Sequence, residues 1–122
     1  MEKPILIIGT QGSGKSLVAL GISKSYKETK IINGKGWHER LSQFDSCTEN
    51  TDCIIIDELI TMNEVEYFHR YSDGVKVERQ AKEPFVIYPK LVIILNIPVA
   101  GEIRMSKATE RRFDIIRLGG VT

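Results

Sequence analysis

Hydrophobic residues in this chain gather into short unbroken runs instead of alternating with polar ones. Pro4 to Ile8, Cys53 to Ile56 and Leu91 to Leu95 are apolar at every position. That is the pattern of strands buried on both faces of a parallel sheet. Lys30 to Ile32 reads as a shorter strand closed by Asn33-Gly34, and Phe113 to Leu118 as a last one. Between the runs the apolar spacing widens to three and four. Ser16 to Tyr26 carries Leu17, Val18, Leu20, Gly21 and Ile22 on this spacing, and Gly36 to Ser46 carries Trp37, Leu41 and Phe44, more weakly. Leu59 to Tyr71 reads as a helix stopping near Asp73-Gly74, and Ser106 to Arg111 as a short one.

Thr48 to Asp52 is a polar loop, and Val75 to Arg79 with Phe85 to Tyr88 look like a hairpin around Pro84. The order is strand, helix, strand, helix, strand, helix, hairpin, strand, helix, strand. It predicts an α/β fold: a three-layer sandwich on a mostly parallel five-stranded sheet with an inserted β-hairpin. No repeat, low-complexity tract or linker divides the chain. Residues 1–122 are expected to form one domain, near the usual size of about 100–150 residues for a single core.

Composition narrows this picture only slightly. The chain is 42% hydrophobic and 27% charged, with 17 basic and 16 acidic residues and a net charge of +1. That balance neither demands nor excludes nucleic acid, because local patches matter more than the sum. Cys47 and Cys53 are too few for a disulfide scaffold and read as small apolar fillers in a reducing compartment. No segment approaches the roughly 20 apolar residues of a membrane span. The first residues lack the long apolar stretch and cleavage site of a signal peptide. The expectation is a cytoplasmic protein, or one of a mobile element or virus acting inside a cell.

Candidate chemistry changes the picture more. Gly9-Thr10-Gln11-Gly12-Ser13-Gly14-Lys15-Ser16 satisfies G-x-x-x-x-G-K-[ST] between an expected strand and an expected helix. Glycines let the backbone curl until consecutive N–H groups point at phosphate oxygens, and the helix N-terminus adds positive potential. Lys15 is expected to reach the β- and γ-phosphates and Ser16 to offer its hydroxyl to Mg²⁺. The Cys53 strand delivers Asp57-Glu58 at its C-terminal end, the edge where open α/β sheets bind ligands. Asp57 would complete the Mg²⁺ shell and Glu58 would act as general base on the attacking water. The competing reading makes Asp57 a helix cap. Asn96, expected to end the Leu91 strand, could orient that water, or simply form a turn. Arg104 and Arg111-Arg112 could stabilise phosphoryl-transfer charge across a subunit interface, or be solvated.

Together these features resemble the AAA+ ATPases, and among them the superfamily 3 helicases of small DNA viruses, plasmids and prophages. The resemblance covers roughly residues 4–118. Val75 to Lys82 followed by Pro89 to Asn96 looks like that family's basic hairpin and the strand ending in Asn. Ala108 to Asp114 looks like its arginine-finger segment. The resemblance implies an ATPase centre of Lys15, Ser16, Asp57 and Glu58, with Asn96 as sensor. It makes Arg112 the finger, with Arg111 as the alternative. It also implies a homo-oligomeric ring acting on single-stranded DNA with other replication proteins. Lys82 matches the basic hairpin tip, with Lys76 and Arg79 beside it, while Gln80 stands where many relatives carry lysine.

The family's oligomerisation, origin-binding and nuclease regions are not among these residues. A minimal ATPase with partners, a remnant and a fragment of something longer all stay open. Two other functions compete with the motor: a P-loop phosphotransferase and a non-catalytic, nucleotide-dependent assembly module. No arginine-rich lid lies between the acidic pair and Asn96, and no motif looks broken. His38 and His69 lack metal-ligand spacing. Trp37, Phe44, Tyr67, Phe68 and Tyr71 are expected to be packing residues.

Overall fold

Each central strand sends alternate side chains to opposite faces of one sheet, so an unbroken apolar run supplies two cores at once. A computed structural model describes residues 3–35, 44–78 and 82–121. Its elements are β1 (Ile5–Thr10), α1 (Lys15–Ser23), β2 (Thr29–Asn33), β3 (Cys53–Leu59), α2 (Met62–His69), β4 (Val75–Val77), β5 (Phe85–Ile87), β6 (Lys90–Ile97), α3 (Lys107–Arg112) and β7 (Asp114–Arg117). A short 3-10 turn, Arg70–Asp73, follows α2.

Five strands form one sheet in the order β2-β3-β6-β1-β7, and every neighbouring pair is parallel. The sheet is therefore wholly parallel rather than mostly so. Antiparallel pairing is confined to β4 and β5, the expected hairpin, which pair Val75 with Ile87 and Val77 with Phe85.

On one face, Ile7, Ile55, Val92 and Ile94 pack with Ala19 of α1, flanked by Val18 and Ile22. On the other, Leu6, Ile8, Ile54, Ile56, Ile93 and Leu95 meet Val65 and Phe68 of α2, the hairpin's Val75, Val77 and Ile87, and Phe113. Each fully buried side chain of this kind contributes about 1.5–3 kcal/mol. Phe44 and Phe68 of this second core cluster with Tyr67 and Tyr71, edge-to-face in all but the tilted Phe68–Tyr71 pair. Cys47 and Cys53 are both buried, one in each core, and act as fillers. No helix among the described residues is long and apolar enough to cross a membrane.

Two differences from the sequence reading bear on the site. The third strand runs on through Leu59, which is buried, so the helix expected from Leu59 begins at Met62. Thr61 starts it with a capping box: its hydroxyl accepts the Glu64 N–H at 3.2 Å, and the Glu64 carboxylate accepts the Thr61 N–H at 3.0 Å. Such a box contributes about 1 kcal/mol, and it outcompetes Asp57 as the cap. Asn96 does not end its strand, since β6 continues to Ile97. The helix expected over Gly36 to Ser46 lies mostly on residues 36–43, outside the described residues. Phe44 to Ser46 is a turn closed by Cys47 N–H on the Phe44 carbonyl at 3.0 Å.

Candidate functional site

β1 ends at Thr10 and α1 begins at Lys15, leaving four residues to reverse the chain. Gly12 and Gly14 do this with φ of +78° and +93°, a left-handed backbone that glycine adopts without strain. Gly9 serves another purpose, because a Cβ there would overlap the Ser13 hydroxyl and sit 3.2 Å from Lys15 Cγ. The Ser13 N–H donates to the Thr10 carbonyl at 3.2 Å, closing the turn. The first amides of α1 follow directly, so the loop opens onto a helix N-terminus.

Lys15 is buried, with 6% of its surface exposed. Its ammonium donates to the Thr10 carbonyl at 2.5 Å and to Ser13 Oγ at 3.4 Å. Burial pushes its pKa below the ordinary 10.5, and the Asp57 carboxylate partly offsets this. The ammonium is thus held among a carbonyl, a hydroxyl and a nearby carboxylate at the mouth of the loop.

The acidic pair sits on a β-bulge. Ile56 faces Ile93 and Leu59 faces Leu95, so Asp57 and Glu58 together stand opposite Ile94 alone. Glu58 is the residue that bends, with φ of +70°, the one positive φ at a non-glycine among the described residues. Asp57 Oδ1 accepts the Glu58 N–H at 2.7 Å, and the Asp57 carbonyl accepts the Gly34 N–H at 2.8 Å. Asp57 is thereby half-buried and fastened, while Glu58 is exposed.

β6 places Asn96 beside Gly9 in the parallel register. The result is a cavity of ≈ 970 Å³ at the C-terminal edge of the sheet, lined by the loop with Lys15 and Ser16, by Asp57 and Glu58, and by Asn96. The structure thus brings together the glycine-rich loop, the acidic pair and the amide. Leu17, Ile60, Ile97 and Pro98 also line the cavity and are not among the expected site residues. Each directly follows an expected site residue or lies within two positions of one, which was the available signal.

The arginines are elsewhere. Arg104, Arg111 and Arg112 are exposed and do not line the cavity. Arg112, at the end of α3, donates to Glu66 of α2 at 2.9 Å, and Thr109 Oγ1 donates to the same carboxylate at 2.7 Å. Lys76 lies on the exposed face of β4, paired with Glu78 at 3.2 Å, and Lys82 is exposed before β5. Arg79 lies outside the described residues. His69 packs edge-on against Phe113, and no group of three or more His, Cys, Asp or Glu among the described residues could hold a metal.

Sheet order, loop and acid-bearing strand define a P-loop domain with a helicase-type fold. The JCV helicase, crystallised with a thiazolopyridine-based acetamide, superposes with a TM-score of 0.70 at 15% identity. The match covers 98% of this chain and 36% of the JCV chain. The apo NrS-1 C-terminal region superposes with a TM-score of 0.58 at 18% identity, covering 97% of this chain and 29% of that one. At such identities the likeness is one of fold, and the chain spans about a third of those structures' length. No family model and no curated protein matches the sequence.

Two measurements probe this site. Because the folded pKa of Lys15 lies below the unfolded value, the unfolded chain binds more protons at this group between the two, and the Lys15 contribution to stability rises with pH up to about 10.5. Denaturation between pH 7 and 10.5 should therefore show wild type gaining on Lys15→Met; a pH-independent gap refutes this. Glu58→Gly should raise stability by roughly 0.5–1 kcal/mol, since relief of a left-handed backbone outweighs the entropy of a new glycine. Unchanged or lower stability would show that the bulge is unstrained.

Proposed function

We propose that this domain binds ATP with Mg²⁺ and hydrolyses it, as an oligomeric, helicase-like motor on single-stranded nucleic acid. One observation carries the reading. A single cavity gathers the phosphate loop with a buried lysine, a carboxylate pair on a bulged strand and a strand-borne amide.

The residues suit a nucleoside triphosphate. The loop from Gly9 to Ser16 aims backbone amides at the phosphates, and Lys15 neutralises them. Ser16 and Asp57 would hold Mg²⁺, whose preference is for hard oxygen donors completed by water and phosphate. When bound, that cation supplies further charge neutralisation to the phosphates. The Asp57 carboxylate is held by the Glu58 N–H and its backbone by Gly34, whereas Glu58 is turned outward, free to take a proton from water in the cavity. Asn96 orients that water.

Arg112 or Arg111 serves a neighbouring subunit's site. For Arg112 this requires release from Glu66, while Arg111 is already exposed. Lys76, Lys82 and Arg79 on the hairpin would follow the nucleic-acid backbone. The fold shared with the JCV helicase supports the motor reading over a phosphotransferase or an assembly module. It fits a cytoplasmic setting among replication proteins.

Phosphate release is the first test. Hydrolysis should require Mg²⁺ and collapse in Lys15→Ala. Glu58→Gln should lose roughly 10²–10⁴-fold in turnover while still binding ATP, because a general base contributes about that much. Near-normal turnover in Glu58→Gln would reject the base assignment. Sedimentation with ATP and single-stranded DNA should show an oligomer, and Lys82→Ala should bind DNA more weakly with a gentler salt dependence. A protein that stays monomeric under those conditions is not a ring motor.

A further inference from the structure

A second backbone segment runs against the phosphate loop. Beyond β7, the Leu118 N–H donates to the Ile8 carbonyl at 2.9 Å and continues the pairing with β1. The chain then turns through Gly119 and Gly120, with φ of +65° and +80°, and buries Val121 in the core. The two glycines share a left-handed backbone but not their surroundings.

A Cβ on Gly119 would lie 2.7 Å from Thr10 Oγ1 and 2.8 Å from Ser13 Cβ. The second is well inside the ~3.5–4.0 Å at which carbon atoms pack comfortably, and the first is too short for an unbonded carbon and oxygen. A Cβ on Gly120 would instead meet Ala100 Cβ at 3.3 Å, away from the loop. The Thr10 hydroxyl could rotate aside. Ser13 Cβ could not, because it is fixed to the loop backbone. Ser13 Oγ also accepts from the Lys15 ammonium, so a displaced Ser13 moves a partner of the lysine. Leu118 closes the same contact from its side: a Cβ on Gly9 would reach Leu118 Cβ at 3.3 Å.

We propose that Gly119 is a positioning residue for the phosphate cradle. Its missing side chain lets the segment after β7 lie flush against Thr10 and Ser13 and hold the loop in its binding shape. This rests on the nucleotide reading of Gly9 to Ser16 given above.

Gly119→Ala and Gly120→Ala test it, with ATP affinity measured by calorimetry in Mg²⁺ alongside melting temperature. Both variants should lose stability, since both force alanine into a left-handed backbone, and Gly119→Ala should lose more because of its overlap with Ser13. Gly119→Ala should weaken ATP about tenfold or more, while Gly120→Ala stays within about twofold of wild type. Adding Ser13→Gly to Gly119→Ala should recover most of that loss relative to Ser13→Gly alone, a coupling that a general loss of stability would not produce. Gly119→Asn supplies the same Cβ in a residue that tolerates this backbone, so it should lose affinity even if the alanine variant folds poorly. Equal ATP affinity in the Gly119 and Gly120 variants, with wild type binding normally, overturns the proposal. If wild type binds no ATP, the nucleotide reading falls and this one falls with it.

Discussion

Everything at the candidate site depends on β6 lying between β1 and β3. Its register with β1 sets Asn96 beside Gly9, and its register with β3 sets the acidic pair opposite Ile94. The strand can occupy that central place because Leu91 to Leu95 are apolar on both faces and every one of them is buried. A polar residue in that run would be buried without a partner, at a cost of several kcal/mol in apolar surroundings. The strand's location in the sheet is thus a hydrophobic decision with a polar consequence. It brings the loop after β1 and the acids of β3 to the rim of one cavity.

That rim is also where the fold tolerates what its interior excludes. Lys15 is a buried cation, Glu58 bends through a left-handed backbone, and the glycines of the loop give up side-chain packing. Each feature is unfavourable alone, and all lie at the C-terminal edge of the sheet. Strain gathered at one site and supported by an ordinary apolar core is characteristic of functional geometry. The opposite face follows a different logic. There α2, the hairpin and Phe113 complete the core, and the hairpin turns Lys76 outward from a buried base of Val75 and Val77.

Most of the elements could be read from the chain because their signals are local. Unbroken apolar runs mark parallel strands, and G-x-x-x-x-G-K-S marks the loop wherever it is found between a strand and a helix. The boundary at Leu59 was misread because an apolar residue after Asp-Glu suits either a strand end or a helix start. Thr61 and Glu64 carried the deciding signal, a capping box three residues apart, which places the helix start beyond Ile60. The bulge at Asp57-Glu58 had no such signal. It exists only in the mismatch of register with β6, a relation between residues more than thirty positions apart.

The sequence by itself determined the class of fold, the glycine-rich turn between β1 and α1 and which polar residues the strand ends carry, since each follows from short-range pattern and residue chemistry. Tertiary structure alone decided the strand order, the outward turn of Glu58, the burial of Lys15 and the approach of Gly119 to Ser13. These depend on which segments lie side by side, and pairing between distant strands is settled by the packing of the whole sheet rather than by local preference. It also decided that Arg112 rests on Glu66, a contact between two helices that no spacing in the chain announces.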